Sequence, residues 1–186
     1  DNVYDVTVQV SDGTNADAQA IAVTITNLND NAPVITSDGA AATATRNVSE
    51  NSTAVTTVTA TDADAGSTLI YSISGGADAA KFSINSSTGV LTFVSAPDYE
   101  SPADSDGNNV YDVTVQVSDG TNTDTQAIAV SVTNVNDNAP VITSDGAGAT
   151  AAKNVAENGT AVTTVTATDA DAGSTLTYSI TGGADA

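Results

Sequence analysis

Apolar and polar residues alternate along this chain in short runs, and turn-forming text separates the runs. In the run from Val110 to Val117, Tyr111, Val113, Val115 and Val117 fall on one side of an extended backbone, with Asp112, Thr114 and Gln116 on the other. Ile128, Val130 and Val132 keep the same period of two and would face them from the last strand. Runs of this kind, rich in Val, Thr and Ile and bounded by Gly, Asn, Asp and Ser, predict β-strands. A first strand is expected over Pro33–Ser37 together with the segment before Glu50, broken by the Gly/Ala-rich stretch Gly39–Ala44. Six more follow at Thr53–Ala60, Thr68–Ser74, Ala80–Ile84, Val90–Val94, Val110–Val117 and Gln126–Thr133. Seven short strands in about a hundred residues predict an all-β, immunoglobulin-like Greek-key sandwich. Without Cys or Trp it is not of the antibody type.

The text repeats. Residues 1–79 and 108–186 are two copies offset by 107 positions, and they differ at 13 of those 79 positions. A period of that size is too long for a solenoid unit and suits a whole small domain. Residues 32–138 then make one complete repeat. Residues 1–31 are expected to supply the last two strands of a preceding repeat, and residues 139–186 the first three strands of a following one. A fragment of two or three strands buries little core by itself.

Composition narrows the partners. The 186 residues carry 3 basic and 23 acidic side chains, a net charge of -20. Three cations cannot neutralise a phosphate backbone, so nucleic acid is excluded, and an anionic membrane surface would be repelled. No run approaches the ~18 apolar residues of a membrane span. With no Cys there is no disulfide framework, so an extracellular role demands some other staple.

The carboxylates cluster at strand ends and in loops. In order along the complete repeat come Glu50, then Asp62 and Asp64 of TDADAG, Asp98 and Glu100 of PDYE, Asp119 of VSDG, and Asn136, Asp137 and Asn138 of TNVNDN. Calcium takes six to eight oxygen ligands at about 2.3–2.6 Å from carboxylates, carboxamides and carbonyls, and this residue set supplies them. The chain has no His or Cys, so zinc and copper sites are not supported. Asp38, Asp78 and Asp145 are explained as turn formers.

The ordered set of Glu-Asn, Asp-x-Asp, Asp-Tyr-Glu, Asp-Gly and Asn-Asp-Asn-x-Pro resembles the calcium signature of cadherin repeats. FSINSSTGVLTF followed by PDYE is similar to the cadherin-like repeats of large bacterial surface adhesins. The resemblance implies ions at each junction, liganded from both neighbouring repeats. At the second junction Glu50, Asp98 and Glu100 would come from the preceding repeat. Asp137 would bridge ions from the linker, Asn136 and Asn138 would add oxygens, and Asp169 and Asp171 would come from the following repeat. At the first junction the set is Asn29, Asp30 and Asn31 with Asp62, Asp64 and Asp119, and no upper ligands lie within this sequence. Two departures stand out: Asn27 and Asn134 replace an Asp common in cadherin linkers, and Ser49 and Ala156 replace the usual Pro.

The loop with Asp104 and Asp106 begins like a calcium loop but lacks the later acidic residue of an EF-hand, so metal site and plain hairpin turn stay open. No nucleophile motif or walled pocket points to an enzyme. The expected role is a calcium-rigidified extracellular or cell-surface spacer of a large adhesin or biofilm-type protein. Its partners would be neighbouring repeats of the same or adjacent chains through calcium junctions, with homophilic or filament contacts open. Two alternatives are a filament or matrix subunit completed by strands of neighbouring chains, and a carbohydrate-binding accessory module.

Overall fold

A computed structural model of the chain describes residues 2–185. Among them there is no α-helix. The strands, in chain order, are β1 (Val3–Ser11), β2 (Ala16–Thr24), β3 (Val34–Ile35), β4 (Thr43–Ser49), β5 (Ala54–Thr57), β6 (Ala60–Thr61) and β7 (Ile70–Gly75). Then come β8 (Phe82–Ile84), β9 (Val90–Phe93), β10 (Val110–Ser118), β11 (Thr123–Thr133), β12 (Val141–Ile142) and β13 (Ala167–Thr168).

The central part is a two-layer sandwich. One layer is the four-stranded sheet β4-β11-β10-β7; the other is built from β5-β9-β8 with the short pair β3-β6. The alternation in β10 and β11 does what its period requires: Tyr111, Val113, Val115, Val117, Ile128, Val130 and Val132 are all buried. Phe82 and Phe93 stack at 4.6 Å, and Tyr111 meets Phe93 edge-on at 5.2 Å, so the aromatic contact joins the two layers. The Tyr111 hydroxyl accepts the Ala103 N–H at 3.0 Å, which gives the buried phenol a partner.

Several strand expectations need correction, each for a reason of pairing. The first strand is two strands in two sheets: β3 pairs with β6, whereas β4 pairs in parallel with β11. The segment between them, with Asp38 and Ala40 at positive φ, carries the chain across the sandwich. Its break is shorter than expected, because Thr43 and Ala44 already lie in β4. The second strand is likewise divided. Its first half pairs with β9 and its second with β3. Val58, between the halves, is buried and donates its N–H to Gly89 O at 2.8 Å. Ala80 and Lys81 form a 3-10 turn before β8, Thr68 and Leu69 lie outside β7, and β11 starts earlier, at Thr123.

Gly89 closes the β8–β9 turn at φ +69°, and a Cβ there would sit 2.1 Å from Val58 O. Only glycine fits that approach. Asn85 shapes the same turn by accepting the N–H groups of Ser87 and Thr88 at 3.0 Å each.

The flanking segments differ from the centre. β1 and β2 form a hairpin whose residues are all exposed. Beyond Asn138, of the three strands expected, the described residues contain one ladder, β12–β13. The central repeat explains this. There β4, β5 and β7 pair with β11, β9 and β10, whose counterparts do not lie in residues 139–185, and only β3–β6 is a pair internal to that stretch of text.

Candidate metal centre

The parallel register of β4 and β11 positions the site. Val48 lies opposite Val132 and Ser49 opposite Thr133, so both strands end at the same edge of the sandwich. Glu50 therefore emerges beside the linker Asn134–Asn138, and its N–H bonds Thr133 O at 3.1 Å. The loop after β9 reaches the same edge, where Asn51 N donates to Pro97 O at 3.0 Å. Strand pairing thus delivers Glu50, the Asp98–Glu100 loop and the linker to one place.

Glu50 is buried, at 4% exposure, and is the pivot. One carboxylate oxygen accepts Tyr99 N–H at 2.8 Å; the other accepts Val135 N–H of the linker at 2.6 Å. Oxygens of Glu50, Glu100 and Asp137 all lie within 4.8 Å of one another. Burial, followed by the charges of Glu50 and Asp171, raises the Glu100 carboxyl above its usual range. Its Oε1 is buried without a hydrogen-bond partner. Three close carboxylates with an orphaned buried oxygen form a set that a hard cation fits, since every donor present is oxygen.

Asn138 ties this cluster to the next segment. Its side-chain nitrogen bonds Asp171 Oδ1 and Asp137 Oδ1, each at 2.9 Å, and approaches Glu100 Oε2 at 3.5 Å. Its backbone N–H bonds Asp171 Oδ2 at 2.9 Å. The Asn138 side chain, as the main donor, holds the Asp171 carboxyl below the usual range. Asp169 accepts the Asp171 N–H at 2.9 Å and so shapes the loop. Asp98 is turned into its own loop, accepting Glu100 and Ser101 N–H groups at 3.0 and 3.1 Å. Asn136 is exposed. Of the second-junction residues, the structure brings together Glu50, Glu100, Asp137, Asn138 and Asp171; Asp98 and Asp169 build the loops around them.

At the first linker, Asp64 accepts Asp30 N–H at 3.0 Å, Asn31 N–H at 2.8 Å and the Asn31 side-chain nitrogen at 2.9 Å. Asp62 accepts the Asp64 N–H at 2.8 Å, and Asp62 Oδ2 is buried without a partner. The Asn29 carboxamide lies 3.0 Å from Asp119 Oδ2 and 3.2 Å from Asp64 Oδ2, bonding both when its nitrogen faces them. Backbone N–H groups of Asn122 and Thr121 hold the Asp119 carboxyl below its usual range.

Asp104 and Asp106 stand apart from both linkers. They accept the Asn108 N–H and side-chain nitrogen, each at 2.8 Å, within their own loop. Asp38 and Asp145 pair with Arg46 and Lys153. Asp78 does more than form a turn: buried at 4% exposure, it accepts N–H groups of Ser105 at 2.7 Å and Asp112 at 2.9 Å. Asn51, whose side chain bonds Asp137 Oδ2 at 2.6 Å, is a site residue the spacing rules passed over, although it stands next to Glu50 in the same motif. Asn122, bonding Asn31 O at 3.0 Å, was also missed, and no local pattern marks it.

The Cadherin domain model matches residues 44–136, half of the chain. This chain belongs to the cadherin family. Cadherin domains are adhesion modules, generally bind calcium, and stand on the extracellular side of cell-surface proteins. The chain is 40% identical over 114 residues to human Protocadherin Fat 4, which covers 60% of this chain and 2% of that protein. It is 36% identical over 85 residues to human Protocadherin Fat 1, covering 44% of this chain and 2% of the relative. The chain thus spans about 2% of the length of these relatives. Among solved structures, mouse Cadherin-23 EC22-24 aligns over 92% of this cadherin chain and 55% of its own, with a TM-score of 0.61 and 28% identity. The extracellular cadherin domains 3-6 of Protocadherin Gamma B2 align over 92% and 43%, with a TM-score of 0.62 and 26% identity.

Proposed function

We propose that the chain is a run of calcium-stiffened spacer repeats of a large cell-surface adhesin, in which the linker between repeats is the working unit. The observation that carries this reading is the meeting of Glu50 and Glu100 with Asp137 of the linker, within 4.8 Å. The proposed division is residues 1–31, 32–138 and 139–186. The second junction would use Glu50, Asp98, Glu100, Asn136, Asp137, Asn138, Asp169 and Asp171; the first would use Asn29, Asp30, Asn31, Asp62, Asp64 and Asp119. Calcium would supply the positive charge that lets these carboxylates stay close. Without it, like charges crowd the linker and favour bending. The cysteine-free repeats need a staple other than disulfides, which calcium would supply after export. The expected bacterial origin is not supported, since the relatives above are animal cadherins.

Calorimetric titration with calcium, paired with X-ray scattering, tests the reading. Binding heat is expected, and EDTA should shorten the average end-to-end length and lower the melting temperature. No change in either on chelation would overturn it. Asp137→Ala should remove most of the calcium-dependent rise in melting temperature, whereas Asp104→Ala should leave it nearly intact.

A second reading is a filament subunit completed by strands of neighbouring chains. Concentration-dependent assembly in sedimentation would support it. A sugar-binding platform has less support, because Phe82, Phe93 and Tyr111 are spent in the core.

A further inference from the structure

We infer that Asn109 is a positioning residue for the carboxylate cluster: its side chain holds the Tyr99–Glu100 peptide in the orientation that presents Glu100 beside Glu50. For the ion this rests on the calcium reading above; for the hydrogen bonds it does not.

Glu100 lies in the long connection from β9 to β10, and the peptide before it sets its place. That peptide is gripped at both ends. Its carbonyl, Tyr99 O, accepts the Asn109 side-chain nitrogen at 2.9 Å, and its N–H, on Glu100, donates to Asp98 at 3.0 Å. One bond earlier along the chain, Tyr99 N–H donates to Glu50 at 2.8 Å. Asn109 thus acts on Glu100 through one peptide plane and on Glu50 through one residue.

The core anchors Asn109 for this task. It stands at φ +63° immediately ahead of β10, and its own carbonyl accepts Val132 N–H at 2.8 Å. The left-handed turn does not itself call for the bond to Tyr99. Asn2, one period earlier, stands at φ +54° and accepts Ile25 N–H at 2.9 Å in the same way. Glycine would adopt that conformation with less strain. The side chain's contribution is separate. Asn109 Oδ1 is buried without a partner, so the bond to Tyr99 is the amide's one hydrogen bond among the described residues. The far part of the connection is fastened elsewhere, Ala103 N–H to the Tyr111 hydroxyl and Ser105 N–H to buried Asp78.

Calcium titration calorimetry on the full chain and on Asn109→Gly and Asn109→Ala tests this, with melting in EDTA read beside it. Both variants remove the amide, so each should bind calcium about fivefold more weakly, the effect of one hydrogen bond. Only alanine adds left-handed strain, so Asn109→Ala should melt lower in EDTA than Asn109→Gly while binding no more weakly. Wild-type affinity in Asn109→Gly would overturn the positioning, as would affinities that fall in step with the EDTA melting temperatures. Failure of the calcium reading shows separately, as a wild type with no binding heat. Amide exchange in EDTA then decides the positioning. Asn109→Gly should speed exchange at Tyr99 about fivefold, and unchanged exchange there would overturn it.

Discussion

The hairpins β1–β2 and β10–β11 are written in almost the same residues and folded in the same register, yet only one of them is buried. Val3 lies opposite Thr24 as Val110 lies opposite Ser131, and each ladder runs to its turn without a slip. Tyr4 is 63% exposed where Tyr111 is 2%, and Val8 is 52% where Val115 is 0%. Ladder and turn are therefore local properties of the text. Burial is not: β10–β11 is covered because β4, β7 and the second sheet lie against it.

Removing the same side chain from both copies separates the two hairpins by energy. Tyr111→Ala should destabilise the central repeat by about 3–5 kcal/mol, as large-to-small changes of buried aromatics do. Tyr4→Ala should cost less than ~0.5 kcal/mol, the range of surface changes. Denaturant unfolding reads both, and equal losses would mean that the first hairpin is buried in solution.

A smaller contrast lies in the turns. Asp12 accepts the N–H groups of Thr14 and Asn15 at 2.8 and 2.7 Å, and Asp119 accepts those of Thr121 and Asn122 at 2.6 Å each. Asp119→Ala should lower the melting temperature of the central repeat by less than Tyr111→Ala does. Asp12→Ala should leave that transition unmoved, because its turn touches no core.

The finest test uses pH. The same backbone donors lower both carboxyls below the usual Asp range, Asn15 and Thr14 for Asp12, Asn122 and Thr121 for Asp119. Since the folded value is the lower one, each turn is stabilised above the unfolded Asp titration, and that contribution is lost as pH falls through the folded value. NMR titration should find both carboxyls depressed together. A normal value at Asp12 beside a depressed one at Asp119 would show that the turn needs the rest of the sandwich.

The same distinction between local and distant information explains what could be read from the text. Period-two alternation located β10 and β11 and their buried faces, and the order of acidic motifs pointed to Glu50, Glu100, Asp137 and Asp171. The division of the first strand between two sheets was not legible, because β3 and β4 have different partners and neither partner is marked in the local residues. Buried Gln126 was hidden for a similar reason: its amide is satisfied by Ala41 O at 2.8 Å, 85 positions away. Asn51 and Asn122 joined the site through contacts of 86 and 91 positions, which spacing rules do not reach.

The parallel ladder between β4 and β11 has a consequence under tension. The chain enters the central repeat ahead of β3 and leaves it after β11, so a pull on the two ends draws β4 and β11 in opposite directions along their length. The short β3–β6 pair, two residues on each side, meets the load first. Behind it stand seven consecutive partners, from Thr43 with Ala127 to Ser49 with Thr133, whose hydrogen bonds are sheared together rather than opened one at a time. The edge that delivers Glu50 to the linker is thus also the seam that resists extension.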